Sequence, residues 1–116
     1  MKENVVKDKS FAFALRIVKL YQFLSEQKRE FVLSKQLLRS GTAIGALVRE
    51  AEQAESRADF VHKMSIALKE ANESEYWIEL LYRGGYLDAE GYQSIIGDVQ
   101  ELLRLLISIV KSTKTN

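Results

Sequence analysis

The stretch LLRSGTAIGALVREAEQAESRADFVHKM, residues 37–64, decides the fold. In its first half, apolar residues recur at helical intervals, so that Leu37, Ile44, Val48 and Ala51 share one face. Its second half starts a new helix. In SRAD, Ser56 stands as an N-cap and Asp59 stands three residues on, the pattern of a capping box. Two helices joined by so short a turn must run antiparallel, and the segment reads as a helical hairpin. Gly41 and Gly45 lie one turn apart within the first of these helices, each costing it roughly 1 kcal/mol relative to alanine. With Ser40 and Ala46 beside them they form a notch. Either a neighbouring helix or a bulky side chain, such as Trp77 or a phenylalanine, packs tightly into it, or it is a groove for a ligand. Tight packing is the preferred reading.

Outward from the hairpin, the same periodicity predicts helices over about 9–25, 32–55, 57–83 and 89–112. The first is expected to start after Asp8 or Ser10. It carries two apolar stripes: Phe11, Leu15, Val18 and Tyr21 on one, Phe13, Ile17, Leu20 and Leu24 on the other. Leu33 joins the inward face of the second. The third places Phe60, Met64, Ala67, Leu68, Ala71, Ile78 and Leu81 inward and stops at Gly84-Gly85, where glycine suits a left-handed C-terminal position. Asp88 caps the fourth, whose stripe is Ile95, Val99, Leu102, Leu106 and Ile109. Proline is absent, and no linker, repeat or low-complexity segment interrupts the pattern. The expectation is a single all-α domain over 1–116, an antiparallel up-down-up-down four-helix bundle.

Size and composition narrow the function. The 116 residues suffice for one core, and 47% hydrophobic with 28% charged residues is ordinary for a soluble globular chain. Without cysteine there are no disulfides, thiolate metal sites or cysteine nucleophiles, and a cytoplasmic home is expected. The N-terminal MKENVVKDKS is charged where a signal peptide needs an apolar run. The most apolar run, LLRLLISIV at 102–110, contains Arg104 and falls far short of the roughly 20 residues a membrane span needs. No membrane association is expected.

Chemistry is sparse. Bundles that hold metal pairs need two Glu-x-x-His motifs, and this chain has one histidine. Asp59-x-x-His62 puts a carboxylate and an imidazole on one face, but Asp59 is engaged as a cap. His62 reads as a surface histidine. No metal or other cofactor is expected. The serines and threonines lack a histidine base for a hydrolytic triad, and Gly84-Gly85 lacks the lysine of a phosphate loop. The chain therefore reads as non-enzymatic, without a small-molecule substrate. Tyr76, Trp77, Tyr82, Tyr86 and Tyr92 cluster at the corner between the third and fourth helices. Such rings can stack on bases, but packing is preferred because only Arg83 accompanies them.

Two surfaces stand out. The first and fourth helices have more apolar residues than a small bundle can bury, and other copies of the chain are the expected cover. The candidate oligomer interface is Phe13, Ile17, Leu24, Leu103, Leu105 and Val110. The net charge of +1 is also unevenly spread: residues 1–40 hold nine Lys/Arg against four Asp/Glu, and residues 41–82 hold four against eight. Ordinary solvated faces explain this simply. The sharper reading is a basic pole for nucleic acid, where Lys28, Arg29, Lys35 and Arg39 meet Arg83. Folding back at Ser56 sets Arg39 level with Glu73, a partly buried structural ion pair, and sets Glu50 level with His62 and Lys63.

Read in order from Lys35 to Leu81, the sequence also resembles a known family: the four-helix bundle proteins encoded in intervening sequences of bacterial large-subunit ribosomal RNA genes. Relatives of that family include the accessory variability determinant of diversity-generating retroelements. Gln36, Leu37, Arg39, Ser40, Ile44, Glu50, Ser56, Asp59, Phe60, Ala67 and Glu73 carry the resemblance. The chain departs from it at Ala43, Leu47 and Ala51, where many members have Ser, Asn and Gly. The resemblance implies a homo-oligomeric ring, commonly a pentamer, no known enzymatic activity, and possible nucleic-acid binding through a basic surface. Two readings follow. One is a non-enzymatic oligomeric scaffold that binds RNA, or a nucleic-acid-handling partner, weakly. The other is a protein-binding adaptor with no nucleic-acid role.

Overall fold

The computed structural model describes residues 2–115, with side chains described for residues 4–114. Four helices make up almost all of it: α1 (Lys2–Glu26), α2 (Leu33–Glu52), α3 (Arg57–Arg83) and α4 (Ala89–Thr115). Helices of 20–27 residues are about 30–40 Å long. They fit a body of 46 × 21 × 18 Å only by lying along its long axis. Each packs against the next in sequence, α4 returns to α1, and the diagonal pairs stay apart. This is an all-α, antiparallel four-helix arrangement.

Local chemistry sets the turns. Ser56 Oγ accepts from the Asp59 N–H at 3.0 Å, and Asp59 Oδ2 accepts from the Glu55 N–H at 3.2 Å. The reciprocal arm of the capping box thus reaches one residue further back than the usual pattern. At the other end of α3, the Tyr86 N–H reaches Leu81 O at 2.9 Å and the Gly85 N–H reaches Tyr82 O at 3.1 Å. That is a Schellman closure, and Gly85 takes its left-handed position at φ 89°. Asp88 Oδ1 accepts from the Gly91 N–H at 2.7 Å and caps α4.

The helix bounds depart from expectation in three places. α1 begins by Lys2 rather than near residue 9. Val6 is fully buried and Ser10 with it, so the buried stripe runs on toward the N-terminus, and Ser10 lies inside the helix with its hydroxyl donating to Lys7 O. α2 stops at Glu52 rather than 55, because its last turn tightens into bonds from the Gln53 N–H to Glu50 O and from the Ala54 N–H to Ala51 O. α4 continues through Thr115 instead of ending near 112.

The core corrects the reading of α1. Phe13, Ile17 and Leu24 are fully buried in the subunit, while Phe11 and Leu15 are 50% and 51% exposed. The stripe expected at the oligomer interface is therefore the one that faces the core, and its neighbour faces solvent. Leu103 and Val110 of α4 are buried as well, and Leu105 packs half-buried against the core. Of the candidate interface, Phe13, Ile17, Leu24, Leu103 and Val110 are thus spent on the subunit's own interior, where a second copy cannot reach them, and only Leu105 keeps part of its surface.

The glycine notch receives α1. A Cβ at Gly41 would stand 2.9 Å from Ile17 Cγ1, and one at Gly45 would stand 3.5 Å from the Ser10 carbonyl group. The bulky neighbour is Ile17, not Trp77 or a phenylalanine. Across α2, Ser40 and Ser74 are both buried with hydroxyl oxygens 2.9 Å apart, a hydrogen bond linking α2 to α3. Small side chains on both flanks of α2 let it sit close to α1 and α3 at once.

Candidate nucleic-acid interface

The pole predicted from sequence is built around the turn from α1 to α2. The Glu30 N–H reaches back to Leu24 O at 2.9 Å, with Arg29 held left-handed at φ 57°. Glu30 then folds under α2. Its carboxylate accepts from the backbone N–H groups of Val32, Leu33 and Ser34 at 3.1, 3.0 and 2.7 Å. Burial works to raise the Glu30 pKa, but these N–H groups and the Ser34 side chain outweigh it and hold the carboxyl below its ordinary value. A buried acid therefore replaces the Ser, Thr or Asp that usually caps a helix start. The turn is anchored from within, and Lys28 and Arg29 stand outside it.

The antiparallel order brings the end of α1, the start of α2 and the end of α3 to this pole, so all five predicted cations share it. They are not equivalent. Arg39 pairs with Glu73 and lies 3.6 Å from Glu70 Oε1, and Arg83 pairs with Glu79 at 3.1 Å. Lys28, Arg29 and Lys35 are exposed, and none has a carboxylate at ion-pair distance among the described residues. Lys28 lies over the Phe23 ring and Arg29 over the Phe31 ring, at 5.9 and 5.8 Å from the ring centres. These two phenylalanines, themselves exposed, place aromatic rings beside unpaired cations.

Arg39 differs from expectation. Its side chain is 54% exposed, so the pair with Glu73 lies at the surface of the α2–α3 seam. Trp77 Nε1 also donates to Glu73, at 3.1 Å. Glu70 Oε1 is buried and receives no hydrogen bond, so Arg39 is its nearest countercharge. Lower in the hairpin, Lys63 pairs with Glu50 at 2.8 Å.

The aromatic corner is divided between packing and surface. Tyr82 stacks on Tyr92 with ring centres 4.1 Å apart, while Tyr76 meets Trp77 edge-on and stays exposed. His62 is exposed, and the described residues contain no group of three or more His, Cys, Asp or Glu suited to a metal ion. No helix among them is long and apolar enough to cross a membrane. Lys19, which the sequence reading passed over, is an exposed cation of α1 that lines the same groove as Lys28. Its signal was one of spacing: Lys19, Phe23 and Leu20 follow the outer edge of the buried stripe.

Four helices that fill one core, with cations gathered at one pole, define a small all-α helical-bundle protein. The model of one family, the 23S rRNA-intervening sequence proteins, matches residues 2–108. The chain belongs to that family. It is also similar to a protein of unknown function from the S23 ribosomal protein family of Bacteroides thetaiotaomicron, whose crystal structure is known. The two are 65% identical, with a TM-score of 0.94 over 96% of this chain and 99% of the other. No curated protein matches the sequence.

Proposed function

We propose that this protein is a non-enzymatic, cytoplasmic, homo-oligomeric bundle that binds RNA weakly through the Lys28–Arg29–Lys35 pole. The observation that carries the assembly is the outer face of α1. Phe11, Leu15 and Val18 form a stripe at helical spacing that faces solvent although the core behind it is already complete. Apolar side chains in a continuous stripe lose free energy by staying wet, and a repeated contact between copies covers them. We read the contact as head-to-tail, the stripe of one copy meeting a different patch of the next. Such contacts close into a ring when the rotation permits, and the family resemblance implies five copies. A ring repeats the cationic pole in every subunit, so weak phosphate contacts add up. The family resemblance, which implies a basic surface for nucleic acid, supports RNA as the polyanion.

Mass measured in solution at tens of micromolar tests the assembly. A discrete multiple of 13.3 kDa is expected, and Leu15→Glu should yield a folded monomer because Leu15 makes no part of the core. A monomeric parent overturns the assembly. A stripe covered by a different protein, the adaptor reading, would show as a monomer that binds no RNA at low salt. For RNA, affinity should fall steeply with salt as counterions are released, and Lys28/Arg29/Lys35→Ala should abolish it.

A further inference from the structure

At the same pole, α1 and α4 part to leave a groove of about 450 Å³. Its floor is apolar, from Leu20, Leu87 and Ile95, and Phe23 and Tyr86 add two aromatic rings to its lining. Lys19 and Lys28 lie at its rim. Among the described residues neither lysine has a carboxylate at ion-pair distance. The other charges of the groove are already committed. Arg16 is bound to Asp98 and to Ser94, and Asp88 is held by the Gly91 N–H at 2.7 Å. Phe23 stays 42% exposed although a groove is open beside it. An apolar slot edged by two cations that have no carboxylate partner, one of them (Lys28) resting over the Phe23 ring, suits a ring system flanked by two anions.

We propose that this groove takes one unpaired nucleotide of an RNA strand, with the base against Phe23 and the flanking phosphates at Lys19 and Lys28. This rests on the reading that the chain binds RNA, and it specifies which RNA. Bases in a duplex are stacked inward and cannot enter a side groove, whereas bases in loops and single strands can be splayed onto aromatic side chains. Arg16 and Asp88 are already bonded, so stacking on the aromatic lining carries the contact and does not depend on which base enters. Two lysines call for successive phosphates of a strand rather than the single carboxylate of a fatty acid. Arg29 and Lys35, also unpaired, continue the cationic track around the pole, where the strand would leave the groove.

The test compares a short unstructured RNA with the same strand annealed to its complement, both titrated against the full-length protein at low salt. The single strand should bind about tenfold more tightly, the size of one base–aromatic stack. Phe23→Ala should remove that preference and leave duplex binding unchanged. Lys19→Glu should weaken the strand and lower the log–log salt slope by about 0.7, one phosphate contact. Thermal melting of each variant excludes misfolding as the cause. If duplex and strand bind alike, or if Phe23→Ala and Lys19→Glu bind like the parent while Lys35→Ala does not, the groove is not the site and the RNA reading stands. If the parent binds neither RNA, both readings fall together. If a free mononucleotide competes as strongly as the strand, the groove serves a small ligand and the strand proposal is overturned.

Discussion

Gly41 and Gly45 look alike in the sequence, and α1 separates them. At Gly41 an added methyl would press on Ile17 Cγ1 and Cγ2, at 2.9 and 3.0 Å, atoms close to the Ile17 backbone with little room to yield. Overpacking of this kind costs about 1–3 kcal/mol and exceeds the roughly 1 kcal/mol that alanine returns to the helix. At Gly45 the nearest atoms stand at 3.5 Å, an ordinary contact. Gly41→Ala should therefore lower the melting temperature and Gly45→Ala should raise it; denaturant titration of the two variants checks the opposite signs. Glu30 is a second case in which one side chain decides a turn. It is 8% exposed, and its carboxyl is held below the ordinary value of 4.5. A lowered folded-state pKa stabilises fully above the unfolded value, and that stability is lost as pH falls through the lowered one. Glu30→Gln should cost on the order of 1 kcal/mol at neutral pH, as for a lost helix cap, and should flatten the acid limb of the stability curve below pH 4.5.

Among the elements, α3 and the start of α4 were legible because their boundaries are written in short-range chemistry. Ser56, Asp59, Gly85 and Asp88 each act within a few residues, and each does locally what its residue type does best. Gly85→Ala should cost about 1–2 kcal/mol, the penalty of a side chain at positive φ, measurable by thermal melting. α1 was less legible for a physical reason. Both its stripes are equally apolar, and periodicity gives a helix's faces without saying which one turns inward. The choice is made by α2, whose notch receives Ser10 and Ile17. Glu30 escaped notice because its role depends on the turn folding it under α2. The Arg39–Glu73 pair was legible in register but not in depth. Half-exposed pairs contribute at most about 1 kcal/mol, so Arg39→Ala should cost no more than that, and not the 3 kcal/mol that a buried pair would lose. Because Glu73 also accepts from Trp77 and Arg39 also faces Glu70, the losses of Arg39→Ala and Glu73→Gln should not add in a double-mutant cycle.

For the whole molecule, the proposed assembly couples folding to concentration. If copies cover the α1 stripe, the melting temperature of the parent should rise with protein concentration, and that of Leu15→Glu should not. Scanning calorimetry over a hundredfold range of concentration separates the two. Within one subunit, the way α1 is attached has its own consequence. It meets α2 closely, through the glycine notch, but it meets α4 across the least tightly packed seam of the four. Along that seam the polar links are surface charges: Lys9 to Glu101 at 3.2 Å, and Arg16 to Asp98 and Ser94. Molar salt screens such pairs within a few ångströms and leaves the glycine packing untouched. α1 is then like the cover of a book, bound along α2 and only clasped along α4. Deuterium should enter its amides faster as ionic strength rises, while the amides of α2 and α3 hold their rates.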